Sequence, residues 1–369
     1  MNQLQLKRSD ERRAFKRLKY QMKKRIVYLD YLRLIASLAV IGIHVAGKGT
    51  YILGNEISSN PKIFVMAATI DSFLRFAVPI FFMISGAIVF SKSEMNLRGF
   101  YKQRAKRIII PLIFWALFYS FVFNRGLSFQ EHIKNMLLGN AFYHLWFLYA
   151  VIGIYLVAPV FYAFLKQSNK KDIELLLLIS FIINTVLPII SSKYWVQLGE
   201  SFNFNYLSGS IFYFILGYYL VNYDFKWLNK VPVAICCYLI TSIIIAGCTV
   251  RASLQQGMHV TFYINTLWTL VIIQSTSLFV LVKKLYLNSK KLPSVLGEVV
   301  NSLGNYFMGV YLIHAFVLEI YQRIWVVNYQ TVNVVVYGIH LLFGGIFVYL
   351  GSLVLIKLIR QVPILNKVI

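Results

Sequence analysis

The residues with chemistry to offer are few, and they stand in apolar surroundings. Arg33 and His44 are separated by ten residues inside the hydrophobic stretch 28–49. At 100° per residue, eleven helical steps overshoot three turns by about 20°, so the two share one face about 16 Å apart along the axis. An imidazole with an ordinary pKa near about 6.5 takes a proton from a hydroxyl, or accepts an acyl group itself, at neutral pH. His314 lies about 12 residues into another apolar stretch, roughly 18 Å along a helix. His144 opens a third. Arg104 and Arg107 are three apart and point to one side of a regular helix. Two guanidinium groups so placed suit a phosphate-bearing anion, which they bind bidentately. Taken singly, each residue has a blander reading. Arg33 snorkels to cytoplasmic phosphates, His44 satisfies a buried carbonyl, and Arg104 and Arg107 are loop charge. Taken together, imidazoles at one depth and arginines at the other describe a path from an anion to a base.

The elements that must hold these groups are membrane helices. Of 369 residues, 59% are hydrophobic and 14% charged, with mean hydropathy +0.66. A soluble chain carries about 45–50% apolar and about 25% charged residues, so a soluble fold of this size is excluded, as are disorder and a disulfide scaffold. The long unbroken apolar runs exclude a transmembrane barrel, which alternates over roughly 10-residue segments. Runs near the ~20 residues a span needs fall at 27–46, 64–90, 108–124, 142–165, 173–191, 207–222, 231–249, 262–282, 302–322 and 333–356. The expectation is an all-α polytopic transmembrane helical bundle of about ten spans.

Charge orients it. The net charge is +24. Residues 1–26 carry ten Lys and Arg, and the connection between the second and third spans carries six more (Lys92, Arg98, Lys102, Arg104, Lys106, Arg107). The excess recurs at every second connection, so both termini are expected in the cytoplasm. Residues 1–26 read as a retained basic juxtamembrane arm against anionic lipid, with no partner nucleic acid. The membrane domain is expected over 27–360, with a short cytoplasmic tail over 361–369. Cys236, Cys237 and Cys248 share one apolar run and show neither a disulfide framework nor metal spacing. No metal is expected. Asp71 and Arg75, four apart, read as a self-neutralising pair that fixes the second helix. Glu319 reads as a partner for Arg323, and His132, His259 and His340 receive no role.

At these residues the chain resembles the acyltransferase 3 family, the polytopic membrane O-acyltransferases of bacteria. The resemblance rests on Leu29-Asp30-Tyr31-Leu32-Arg33 with His44; Val78-Pro79-Ile80-Phe81-Phe82-Met83-Ile84-Ser85-Gly86; Arg104 and Arg107; His144-Leu145-Trp146-Phe147-Leu148; and Gly309-Val310-Tyr311-Leu312-Ile313-His314. The chain looks closest to the short members without a fused esterase-like domain, the enterobacterial common antigen O-acetyltransferase type. No motif matches between about 166 and 300. The resemblance implies an O-acetyltransferase of the bacterial plasma membrane. Its donor is cytoplasmic acetyl-CoA, and its acceptor is a hydroxyl of a cell-surface polysaccharide or lipid-linked precursor. The acceptor is reached directly or through a separate extracytoplasmic acyl-accepting protein. By the same resemblance His44 and Arg33, with His314, are catalytic. Arg104, Arg107 and Arg33 hold coenzyme A, and His144, Trp146, Ser85 and Tyr311 meet the acceptor. The rival reading is a transporter or flippase of a glycan intermediate. It too needs polar groups at membrane depth, but the sequence shows no inverted repeat and no paired broken helices.

Overall fold

The computed structural model describes residues 27–194, 209–288, 297, 300, 302–363 and 365–369. The expected basic arm, residues 1–26, lies outside the described residues, as does the start of the stretch expected at 207–222. Among the described residues there are helices and turns but no strand. The first apolar stretch is α1, Val27–Leu53. The second forms two helices, α2 (Pro61–Leu74) and α3 (Ala77–Phe90). Helix α4 (Leu97–Arg104) runs through a π-turn at Ala105–Ile109 into α5 (Ile110–Phe123). A surface helix, α6 (Phe129–Leu138), precedes α7 (Trp146–Gln167). Helix α8 (Lys170–Phe181) passes through a second π-turn at Ile182–Val186 into α9 (Leu187–Tyr194). Then follow α10 (Ser210–Asn222), α11 (Val231–Gln256), α12 (Thr269–Asn288), α13 (Phe307–Ile324) and α14 (Val334–Gln361).

Among the described residues, eight stretches are long and apolar enough to cross a membrane: Val27–Leu53, Pro61–Phe90, Leu97–Phe123, Trp146–Gln167, Lys170–Ile190, Val231–Gln256, Phe262–Asn288 and Val334–Gln361. The chain is a multi-pass membrane protein. The other two expected stretches became α10, with 13 residues, and α13, with 18. At 1.5 Å per residue α10 covers about 20 Å, short of a ~30 Å hydrocarbon core. Both are inner helices. Ile211–Gly217 is continuously buried in α10, and α13 buries His314 completely. The outside of the bundle carries Leu156, Val160, Ile243, Val335 and Leu342, all exposed, as expected where the surroundings are lipid.

The second span is not one helix. Pro79 has no N–H, so the Arg75 carbonyl loses its helical donor. The chain turns at Arg75–Phe76 and the ladder restarts with Ile80 N–H bonded to Phe76 O at 3.0 Å. Carbonyls freed inside a membrane need other donors. The buried Gln274 of α12 donates to Ser72 O at 3.0 Å and to Ser242 Oγ at 2.7 Å, and Tyr238 of α11 donates to Phe73 O at 3.0 Å. The sequence shows no paired broken helices in two halves; this break lies in the second span.

Two contacts fix the neighbours of this span. A Cβ on Gly86 of α3 would lie 1.9 Å from Phe214 O, and one on Gly217 of α10 would lie 1.9 Å from Met83 O. The two backbones therefore touch, as small residues allow between membrane helices. On the other side, Gly42 of α1 faces Leu74, and Gly49 faces Ala67. Both fit one antiparallel register, which sets Asp71 opposite Val45, next to His44.

Candidate active site

The predicted histidines come together from three separate elements. His44 is delivered by α1, His314 by α13, and His144 by the turn that leads into α7. The His44 and His314 rings stack with centroids 5.2 Å apart and planes inclined by 27°. The His144 ring meets His314 edge-on at 5.0 Å. His144 and His314 are buried and His44 is partly open. The sequence-predicted Tyr311 belongs to the same cluster. Its ring lies 5.6 Å from His144, and its hydroxyl donates to the His144 carbonyl, pinning the turn to α13.

The tautomer of His314 follows from its partner. Its Nδ1 lies 2.6 Å from Tyr311 O, and a carbonyl only accepts, so Nδ1 carries the proton. The lone pair is left on Nε2, which is buried and has no hydrogen-bond partner. Neither nitrogen of His144 has one either, the Leu312 carbonyl lying near but outside hydrogen-bond geometry. Imidazole nitrogens held in this way are equipped to receive a proton or bind a hydroxyl.

Sequence reasoning missed two tyrosines of the site. The Tyr143 ring lies 5.1 Å from His44; its position beside His144 was the available signal. Tyr119 of α5 is fully buried, 4.9 Å ring to ring from His144. Its hydroxyl donates to Leu312 O at 2.8 Å and accepts from Phe316 N at 3.2 Å, bridging the helical pair that brackets His314. Nothing in the sequence around Tyr119 marks it. An aromatic wall follows, with Phe147 4.8 Å from Phe82 and 5.5 Å from Tyr311.

Other predicted residues lie elsewhere. Trp146 is 46% exposed and turned outward from the imidazoles. Ser85 is half-buried on α3, beside the Gly86 crossing and nearer the end of the bundle where α1 begins and α14 finishes. Arg33 stands at that terminal end and is paired with the buried Asp30. Glu319 pairs with Lys48 of α1 at 3.7 Å rather than with Arg323, because α1 and α13 run side by side just beyond His44 and His314. Asp71 and Arg75 form the expected pair. His132 and His340 bond Ser120 Oγ at 2.7 Å and Tyr321 Oη at 3.0 Å. The three cysteines are free.

Arg104 and Arg107 do not share one face, because the π-turn that starts at Ala105 alters the angle between them. Arg104 turns inward over the Tyr155 ring at 4.5 Å, with its Nε buried and unpartnered. Arg107 joins Gly99, Lys102, Gln103 and Lys106 around an open cleft of about 400 Å³. Lys92 stands close to both arginines. Burial, together with repulsion from Arg104 and Arg107, holds its ammonium below the ordinary lysine value. Such crowding of positive charge suits a polyanion. Among the described residues no group of three or more His, Cys, Asp or Glu is arranged to hold a metal ion.

Comparison with known proteins agrees with this arrangement. The acyltransferase 3 family, described as an acyltransferase domain, matches residues 26–357. Two similar proteins are both named probable poly-beta-1,6-N-acetyl-D-glucosamine export protein. One, from Staphylococcus aureus strain MRSA252, is 26% identical over 318 residues, covering 81% of this chain and 84% of its own. The other, from strain Mu50 / ATCC 700699, is 25% identical with the same coverage. No solved structure matches. With nearly the whole membrane bundle inside the matched range, including His44, His144, His314, Arg104 and Arg107, the chain belongs to the acyltransferase 3 family.

Proposed function

We propose that this protein transfers an acetyl group from cytoplasmic acetyl-CoA to a hydroxyl of a cell-envelope polysaccharide, or of its lipid-linked precursor, at the plasma membrane. The convergence of His44, His144 and His314, with the His314 tautomer set by Tyr311, carries this reading. Lys102, Lys106 and Arg107 receive the coenzyme A phosphates at the terminal end, with Arg104 and Lys92 nearby and Arg33 at the same end of the bundle. His44 and His314 take the proton of the acceptor hydroxyl as its oxygen attacks the thioester carbonyl. The tetrahedral adduct expels the coenzyme A thiolate, which leaves with that proton. His144 and Tyr311 orient the acceptor. The relatives' name supports the acceptor class, a polymer containing N-acetylglucosamine.

A second reading is favoured by that same name. The protein would then move the polysaccharide across the membrane, and the imidazoles would be binding groups. Membranes from cells expressing wild type, His44→Ala or empty vector decide between the two. Each is given radiolabelled acetyl-CoA, and lipid-linked and polymer fractions are counted. Label that requires His44 supports acetyl transfer. Unlabelled fractions, with the protein present and the polymer still exported in a His44-dependent way, reject transfer in favour of export.

A further inference from the structure

The Asp71–Arg75 pair is not closed as a structural pair would be. Asp71 is 2% exposed, yet only its Oδ2 meets the guanidinium, at Nη2. Asp71 Oδ1 and Arg75 Nε are both buried and have no hydrogen-bond partner among the described residues. Leaving such atoms unpaired in a low-dielectric interior is costly, and more so for charged groups. A bidentate pair would remove that cost within the protein. The two orphan atoms belong to joined groups, so one small ligand spans them. A third orphan, Nε2 of His259 from the turn after α11, lies within electrostatic reach of both.

This cluster adjoins the imidazoles. The α1–α2 register puts Asp71 beside His44, and Arg75 is within electrostatic reach of the His44 ring. The Arg75 side chain is 26% exposed, so the arginine side of the pair reaches the surface of the core. It also sits at the turn between α2 and α3.

The orphan atoms describe the ligand. Arg75 Nε only donates and Asp71 Oδ1 only accepts. A phosphate or carboxylate satisfies the first and is repelled by the second. An ammonium does the reverse. A neutral hydroxyl accepts from one and donates to the other. We infer that Asp71 and Arg75, with His259 at the rim, form a saccharide subsite that binds hydroxyls of the acceptor glycan beside His44. This rests on the acyl-transfer reading for its role, although the binding itself does not.

The test uses the full-length protein in detergent micelles and chitotriose, a short neutral N-acetylglucosamine oligosaccharide, as probe. Calorimetric binding is measured for wild type, Asp71→Asn, the doubly neutral Asp71→Asn/Arg75→Gln, His259→Phe and the control Gly153→Ala. The double variant keeps a side-chain hydrogen bond and removes both charges, so a folding failure of the single variant does not end the test. Expected is at least a tenfold weaker Kd in both Asp71 variants, a smaller loss in His259→Phe, and an unchanged Kd in Gly153→Ala, where a methyl group meets open space. No binding by wild type, or equal binding by all folded variants, overturns the subsite. Labelled acetyl-CoA is tested in parallel. Asp71-dependent saccharide binding without acetyl transfer rejects the acyltransferase reading and keeps the subsite. Transfer with equal acceptor KM in wild type and the double variant does the opposite.

Discussion

At the scale of single residues, the stacked His44 and His314 should be indispensable together. A positioned general base contributes about 10²–10⁴-fold. His44→Ala and His314→Ala are each expected to lower kcat for acetyl transfer by about 100-fold or more, with normal protein levels by immunoblot. Tyr119 acts through its neighbour. Its hydroxyl bridges Leu312 O and Phe316 N around His314. Tyr119→Phe is expected to lower stability by about 1 kcal/mol, one hydrogen bond's worth. Its kcat should fall several-fold while KM for acetyl-CoA stays fixed, which single-turnover kinetics would separate from unfolding. Arg107→Ala should show the opposite split, a KM for acetyl-CoA raised about tenfold with kcat unchanged, as expected when uniform binding is lost. An equal KM in low salt would remove the cleft from the donor site. The histidines were legible because imidazole is expensive in hydrocarbon and stands out there. Tyr119 was not, since a tyrosine among Phe114, Trp115 and Phe118 looks like ordinary core.

At the scale of elements, the apolar runs announced the helices but not their irregularities. The break at Arg75–Phe76 follows from Pro79, which the sequence displays. Its repair by Gln274, Ser242 and Tyr238 joins residues far apart in the chain and leaves no local trace. The π-turn over Ala105–Ile109 has no compositional signature, and so Arg104 and Arg107 read as one face when they are two. The α3–α10 crossing gives the sharpest element-level prediction. Gly86→Ala or Gly217→Ala places a methyl group 1.9 Å from a backbone oxygen, which cannot give way as a side chain does. Overpacking of this kind costs about 3 kcal/mol. Each variant should fall in thermal midpoint and membrane abundance, whereas Gly153→Ala, with open space around it, should not.

At the scale of the whole molecule, composition settled the class and the basic connections implied an orientation. A fluorescent protein joined after Ile369 is expected to mature and glow, and alkaline phosphatase there to stay inactive. Inserted after Gly126, between α5 and α6, phosphatase should be active. The reverse pattern would turn the bundle over and put the Arg107 cleft on the wrong side for cytoplasmic coenzyme A. The meeting of Gly86 with Gly217 also has a consequence for biogenesis. The two glycines are about 130 residues apart, and synthesis proceeds at about 5–20 residues per second, so α3 waits roughly ten seconds for α10. During that interval the slot at Gly86 has no α10 backbone to close it. Maturation therefore includes a late docking of α10 on α3, a step that any enlargement of either glycine would obstruct in the newborn chain.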